Sequence, residues 1–482
     1  MSTLSNLAPQ RVFYYFEEIS KIPRGSGNTR AISDYLVEFA NSHNLEVYRD
    51  DLNNVIIKKE ATADKANCKG VILQGHMDMV CEKTLESTHD FLKDGLELEI
   101  NGDFITANGT TLGADDGVAV AISLAILEDN YISHPKIEAI FTVDEETGMD
   151  GAKFIDLSGI TGQYVLNLDC EMEDTIIAGC AGGARIDVVF KGAKALFNGT
   201  KIDIDIFGLL GGHSGSDIDK QRANAHILLG RILHIIRENM DIGILSIEGG
   251  TKDNVIANVV KSSIIVPVGK AENAIDIINR SVADIVEEYK FIEDNIHIQG
   301  KVSENGIYNV IDEDTANDLI FFMGVVPNGI IDYNANIKDL VETSLNMGVL
   351  SIKDYTVSIG ISVRSQVKSK KEKLVGQIIM LAQRANADYN VRGVYPAWSY
   401  THNSPLQKLM KEIYLDKFHR ELKTEIIHAG LECGYLLEKL PHLDIVSFGP
   451  LMYDIHTVNE RLSISSTQKI YQFILEILKN IK

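Results

Sequence analysis

Histidines and carboxylates follow short apolar runs in this sequence, and that placement suggests chemistry. The run Val71-Ile72-Leu73-Gln74 leads directly into Gly75-His76-Met77-Asp78. In an extended chain alternate residues share a side, so His76 and Asp78 fall together. A metal-binding imidazole usually has its second ring nitrogen fixed by a carboxylate or carbonyl, and Asp78 is suitably placed. Taken alone, the plainer reading is a core histidine beside a solvated aspartate. Recurrence elsewhere in the chain reverses that preference.

A second apolar run, 137–143, ends in Asp144-Glu145-Glu146-Thr147-Gly148. Adjacent carboxylates at a strand end point in different directions, so one can bind a metal while the other takes a proton from water. A third run, 164–168, ends in Asp169, and Asp454-Ile455-His456-Thr457 supplies a late histidine. With Asp115 these segments offer two histidines, three carboxylates and a spare carboxylate for base work. The set suits two divalent ions sharing one carboxylate. Nitrogen and oxygen donors without thiolate fit zinc, manganese or cobalt.

The elements that must position these groups alternate. Residues 10–20 and 29–41 carry helical periodicity, with Ile32, Tyr35, Leu36 and Phe39 defining one face of the second. Gly25-Ser26-Gly27-Asn28 between them is only a loop signal. Strands are expected at 54–58, 71–74, 137–143 and 164–168, and a helix opens in Thr111-Leu112-Gly113-Ala114-Asp115-Asp116-Gly117 and runs to about 127. Helix alternating with apolar strand is the pattern of an α/β layered sheet. His76, Glu145/Glu146 and Asp169 each follow a strand, the edge at which open α/β sheets build their sites.

From about residue 184 the pattern changes. Ile202, Ile204 and Ile206 alternate with Asp203, Asp205 and Phe207, and Val357, Ile359, Ile361 and Val363 share one face of 352–364. Such strands belong to an antiparallel sheet with one wet face. Helices are expected near 219–238, 271–289 and 335–348. Residues 184–398 therefore read as an α+β domain inserted into the first. Residues 1–183 and 399–482 form the sheet domain, completed by a helix at 405–419, a strand at 444–448 and a helix from about 466.

A chain of 482 residues exceeds one ordinary core. Its 45% hydrophobic and 24% charged residues mark a soluble globular protein. A net charge of −22 argues against nucleic acid and anionic membranes as partners. Five scattered cysteines without a CxxC pair argue against a disulfide framework or thiolate zinc site. No secretory leader and no run of membrane-spanning length is seen, so a cytoplasmic protein is expected.

The ordered motifs resemble the M20 metallopeptidases. They are Gly75-His76-Met77-Asp78, Gly113-Ala114-Asp115-Asp116-Gly117, Asp144-Glu145-Glu146-Thr147-Gly148, Asn167-Leu168-Asp169 and the late His456. Gly211-Gly212-His213-Ser214-Gly215, Asn254-Val255-Ile256-Ala257-Asn258 and His428-Ala429-Gly430-Leu431-Glu432-Cys433-Gly434 extend the likeness toward bacterial aminoacyl-histidine (Xaa-His) dipeptidases, over essentially the whole chain. The resemblance implies a zinc-peptidase-like α/β catalytic domain with a mixed central sheet flanked by helices, and an inserted α+β lid. It implies two divalent ions, zinc in the first instance. His76 and Asp169 would hold one, Glu146 and His456 the other, and Asp115 would bridge. Glu145 would be the general base and Asp78 the partner of His76. Asp116 stands where close relatives are expected to carry asparagine; Asp115 is kept as the bridge because Asp116 should point away at the helix start.

In the lid, the resemblance makes His213 the donor to the developing oxyanion. Arg364 is expected to grip the substrate carboxylate bidentately, and Asn254 to contact substrate. Glu432 is expected either to support the site or to meet the substrate amine. Together these imply a dipeptidase acting on short peptides with a free amino end, Xaa-His dipeptides included, through a metal-bridging water activated by Glu145. A tripeptidase, an aminoacylase or a non-catalytic metal-holding peptide binder are the alternatives. A homodimer is a further expectation, and so is a lid long enough to present His213 within its own chain.

Overall fold

The structure is a computed structural model that describes residues 3–335 and 337–482. The chain divides into two compact units. The first comprises Met1–Cys180, Trp398–Ile426 and Leu431–Lys482; the second comprises Ala181–Ala397 together with Ile427–Gly430.

The first unit is built on an eight-stranded sheet. Its order is Glu46–Arg49, Val55–Lys59, Ile137–Thr142, Val71–His76, Tyr164–Asn167, Asp444–Ser447, Thr175–Cys180 and Lys423–Ile427. The His76 strand lies parallel to Ile137–Thr142 on one side and Tyr164–Asn167 on the other, and Asp444–Ser447 continues the parallel run. The outer pairs Glu46–Arg49/Val55–Lys59 and Val55–Lys59/Ile137–Thr142 are antiparallel, so the sheet is mixed. The three strands at the centre are buried on both faces, which is why they read as unbroken apolar runs.

Helices supply that cover. Gln10–Ser20 and Arg30–Ser42 start the chain, and Ile32 and Leu36 of the second are fully buried. The helix Ala114–Glu128 is buried on every side from Ala114 to Leu127 and belongs to the core that holds Phe13, Phe16, Leu73 and Phe141. Pro405–Phe418 and Ile464–Asn480 bring Met410, Tyr414, Phe473 and Ile477 into the same core. A separate four-stranded sheet joins Leu98–Asn101 and Phe104–Ala107 to Arg461–Ser463 and Met452–Tyr453, and it fixes the segment that bears His456.

The second unit is a nine-stranded antiparallel sheet with the helices Ala225–Asn239, Ala271–Tyr289, Glu313–Val325 and Lys368–Arg384. Ile202, Ile204, Ile206, Val357, Ile359, Ile361 and Val363 all enter its core, as their alternation requires. The helix expected at 335–348 is instead the strand Val341–Lys353. This strand pairs with Gly243–Gly249, Gly329–Tyr333 and Thr356–Ser365 and is buried almost continuously from Val341 to Leu350. A strand covered on both faces loses the period of two that would have distinguished it from a helix. Among the described residues, no helix is long and apolar enough to cross a membrane.

Candidate active site

Four chain segments bring acids and imidazoles to the carboxyl edge of the first unit's sheet. His76 closes its strand, Glu145 and Glu146 open a short helical turn just after Ile137–Thr142, and Asp169 follows Tyr164–Asn167. His456 comes from the loop between Met452–Tyr453 and Arg461–Ser463. Its backbone is left-handed, φ 62°, as is that of Asp144 at φ 57°. Non-glycine residues are uncommon there and are held only when their surroundings over-determine them.

Asp115 sits at the centre. Its Oδ1 is 3.1 Å from His76 Nε2 and its Oδ2 is 3.1 Å from His456 Nε2, so one carboxylate faces both imidazoles. His76 Nε2 also lies 3.8 Å from Asp169 Oδ1, and His456 Nε2 lies 3.0 Å from Glu146 Oε2. The other His76 nitrogen, Nδ1, is 3.1 Å from the Asp78 carbonyl and 3.4 Å from its carboxylate. Asp78 in turn accepts from Ser26 Oγ at 2.8 Å and from the amides of Glu145 at 3.2 Å and Glu146 at 3.4 Å. One buried carboxylate therefore holds a histidine by one strand end and the acidic turn by another.

Asp116 departs from expectation. Residues 115 and 116 are not helical in φ and ψ, so helix geometry does not turn the second side chain away. Asp116 is fully buried, and its carboxylate lies with potential ligand atoms of His76 and Asp169, all within 4.8 Å of one another. A Cβ on Gly75 would stand 2.4 Å from Asp116 Oδ2, so glycine is needed before His76.

The electrostatics are those of crowded acids. Burial, followed by the like charges of Glu432, Glu146 and Asp115, pushes Glu145 up to about 8 although His76 opposes it. Asp169 is raised well above the carboxylate range, chiefly by burial. Burial opposes the charge of Asp115, but hydrogen bonds from His456 and His76 hold it below its ordinary value. Asp115 and Glu146 lift His456 to about 10. Among the described residues Glu146 Oε1 is buried without a hydrogen-bond partner. Such an oxygen among imidazoles and acids fits a divalent cation, which would reverse this crowding.

Residues 72–480 match peptidase family M20/M25/M40. The chain belongs to that family. It is 34% identical to a cytosol non-specific dipeptidase of Escherichia coli (strain K12) over 485 residues, covering 100% of this chain and 99% of the relative. The crystal structure of an aminoacylhistidine dipeptidase from Vibrio alginolyticus superposes with a TM-score of 0.93 at 32% identity, covering 99% of this chain and 98% of the other. The aminopeptidase PepT of Bacillus cereus, at 17% identity and TM-score 0.56 over 98% of each chain, shares the fold. The protein is thus an M20 metallopeptidase, a hydrolase similar over its full length to the Escherichia coli and Vibrio alginolyticus dipeptidases.

Within this M20 peptidase, the second unit gathers His213, Arg364, Tyr395 and His428. His213 Nδ1 accepts from the amides of Gly215 at 3.3 Å and Ser216 at 3.2 Å. Burial and the Arg364 cation hold His213 below its ordinary value. Arg364 Nη2 is 3.5 Å from that nitrogen, and Arg364 Nη1 donates to the Tyr395 hydroxyl at 2.9 Å. His428 Nε2 is 2.7 Å from Ser344 Oγ. Asn254 is half-buried, and its carbonyl accepts from the Ser214 amide at 2.9 Å beside His213.

Glu432 does not reach the surface of the M20 site. It is fully buried, and its carboxylate accepts from Gln74 Nε2 and Thr142 Oγ1, each at 2.6 Å. Gln74 Oε1 also accepts from Asn167, so a buried polar row ties the three strands that end in His76, Glu145 and Asp169. Sequence reasoning also missed Arg24 and Glu460. Both are buried behind the site, and the loop after Arg24 donates from Gly27 N to Asp144 at 2.6 Å. Their only sequence signals are a loop-forming Gly25-Ser26-Gly27-Asn28 and an acid near His456.

Proposed function

We propose that this M20 peptidase is a dinuclear dipeptidase that hydrolyses short peptides with a free amino end, Xaa-His dipeptides among them, and works in the cytoplasm. The observation that carries the reading is Asp115, which offers one oxygen to each of two histidines with Glu145 alongside. His76 and Asp169 would hold one ion and Glu146 and His456 the other, with Asp115 shared; zinc is the proposed metal, and manganese and cobalt suit the same donors. Such ions, when bound, supply Lewis acidity to water and to the scissile carbonyl. Cellular location follows the named compartment of the Escherichia coli relative.

Glu145 takes the proton of the attacking water and returns it to the leaving amine. Its high proton affinity among neighbouring acids suits a group that must both accept and give a proton. Asp78 holds the Glu145 amide and the His76 ring, so base and ligand stay in register. His213, held below its ordinary value by burial and by Arg364, donates to the carbonyl oxygen as charge develops there. Arg364 binds the substrate carboxylate and Asn254 a neighbouring polar group. Glu432 supports the strand ends through Gln74 and Thr142.

The test is a panel of dipeptides, tripeptides and N-acylated amino acids, assayed after reconstitution with zinc, manganese and cobalt. Cleavage of dipeptides with two ions bound per chain is expected. Preference for tripeptides or N-acyl amino acids would move the protein to another amide hydrolase class, and two-ion binding without turnover would make it a peptide binder.

A further inference from the structure

Arg24 is 2% exposed, and its guanidinium lies behind the site where two ligand-bearing turns meet. Nη1 donates to the carbonyls of Met77 at 3.1 Å and Asp78 at 3.2 Å, immediately after His76. Nη2 donates to the carbonyl of Gly113, two residues before Asp115. The fork thus joins the backbone that presents His76 to the backbone that presents Asp115. The carboxylates of Glu460, Asp78 and Asp116 face this buried cation.

The glycines of the motif are shaped to it. A Cβ on Gly113 would stand 2.6 Å from Arg24 Nη2, and one on Gly117 would stand 2.5 Å from it. Gly113 also has φ 65°, a conformation that glycine adopts without cost. Glu460 secures the same turn from its amide side, accepting from Leu112 at 2.8 Å, Gly113 at 2.9 Å, Ala114 at 2.8 Å and Asp115 at 3.3 Å. The turn bearing Asp115 therefore hangs between one buried anion and one buried cation. Only the cation also reaches the His76 turn.

We propose that Arg24 is the positioning residue that sets the spacing of His76 and Asp115, and through them the pairing of the two ions. It touches neither substrate nor metal. It acts because a planar guanidinium can donate to carbonyls on two chain segments at once, whereas an ammonium is a point donor on a flexible stem. This rests on the two-ion reading above and adds to it the group that ties the His76 ligand to the shared carboxylate.

The experiment compares wild type with Arg24→Lys and Gly117→Ala. Lysine keeps the charge and loses the fork, and alanine at 117 displaces the fork with Arg24 still present. Each protein is stripped, checked for native circular dichroism, and titrated with manganese while paramagnetic resonance follows exchange coupling between the ions. The expected result is an intact fold, one ion bound as in wild type, and the second weakened about 10–100-fold, the usual effect of losing a partner of a ligand. The coupled signal should fall, and kcat should fall more than KM rises. If either folded variant binds two coupled ions with wild-type affinity, Arg24 does not set the pair. If wild type itself binds a single ion, the two-ion reading fails first, and that outcome is distinguishable because it appears before any substitution.

Discussion

The two units bury ionisable groups in opposite ways. The first gathers Asp78, Asp115, Asp116, Asp169, Glu432 and Glu460 behind one sheet edge, with His76 and Arg24 as buried cations among them. In the second, burial holds the imidazoles of His226 and His428 low instead. His226 lies in its interior and is pushed down to about 4 by burial; His428 is pushed down to about 3 by burial and by Arg364. Crowded acids are costly unless cations join them, whereas a neutral imidazole pays only desolvation. The first unit is thus built to be completed by metal.

The sharpest way to break that contrast is to remove the shared carboxylate. Asp115→Ala is expected to lose at least one ion and nearly all activity, with elemental analysis read beside turnover; Asp116→Ala should keep both ions. Reversal of those two results would transfer the bridge to Asp116, which the fold places closer to the cluster than a helical start would have. Glu145→Gln comes next. Hydrolysis should fall by ~10²–10⁴-fold or more while both ions stay bound, and metal loss would instead mean that Glu145 and Glu146 exchange roles.

On the second unit's side, His213→Ala should lower turnover by ~10²–10³-fold, as loss of an oxyanion donor does, without changing metal content. Mixed with Glu145→Gln under subunit exchange, it should remain inactive if His213 serves its own chain. Recovery of activity would show service across a dimer.

The smallest expected effect concerns acid. His226 folds with a depressed pKa, about 4 against about 6.5 when unfolded, so between those values the unfolded chain binds more protons. The stability this gives is whole above pH 6.5 and is lost as pH falls toward 4, by about 2 kcal/mol at pH 5. Urea melts at pH 7 and pH 5 should converge for His226→Leu relative to wild type. An unchanged pH dependence would remove His226 from the second unit's acid-sensitive groups.

Much of this was legible because it is local. An apolar run followed by His76, by Glu145-Glu146 or by Asp169 announces a buried strand and what its end presents, and Ile202, Ile204 and Ile206 announce a half-wet sheet. The strand Val341–Lys353 was not legible, since burial on both faces erases alternation. Nor was the burial of Glu432, whose partners Gln74 and Thr142 lie in strands far from it in sequence.

The sequence by itself determined the candidate ligands, the strands that precede them and the split into two kinds of sheet, because periodicity and strand ends are short-range properties. Only the tertiary structure decided which groups hold those ligands in register. Arg24 reaches 53 and 89 residues along the chain, and Glu460 reaches back 348 to cap the Asp115 turn. Contacts at such separations leave no period in the sequence, and they form only once the sheet has brought the segments together.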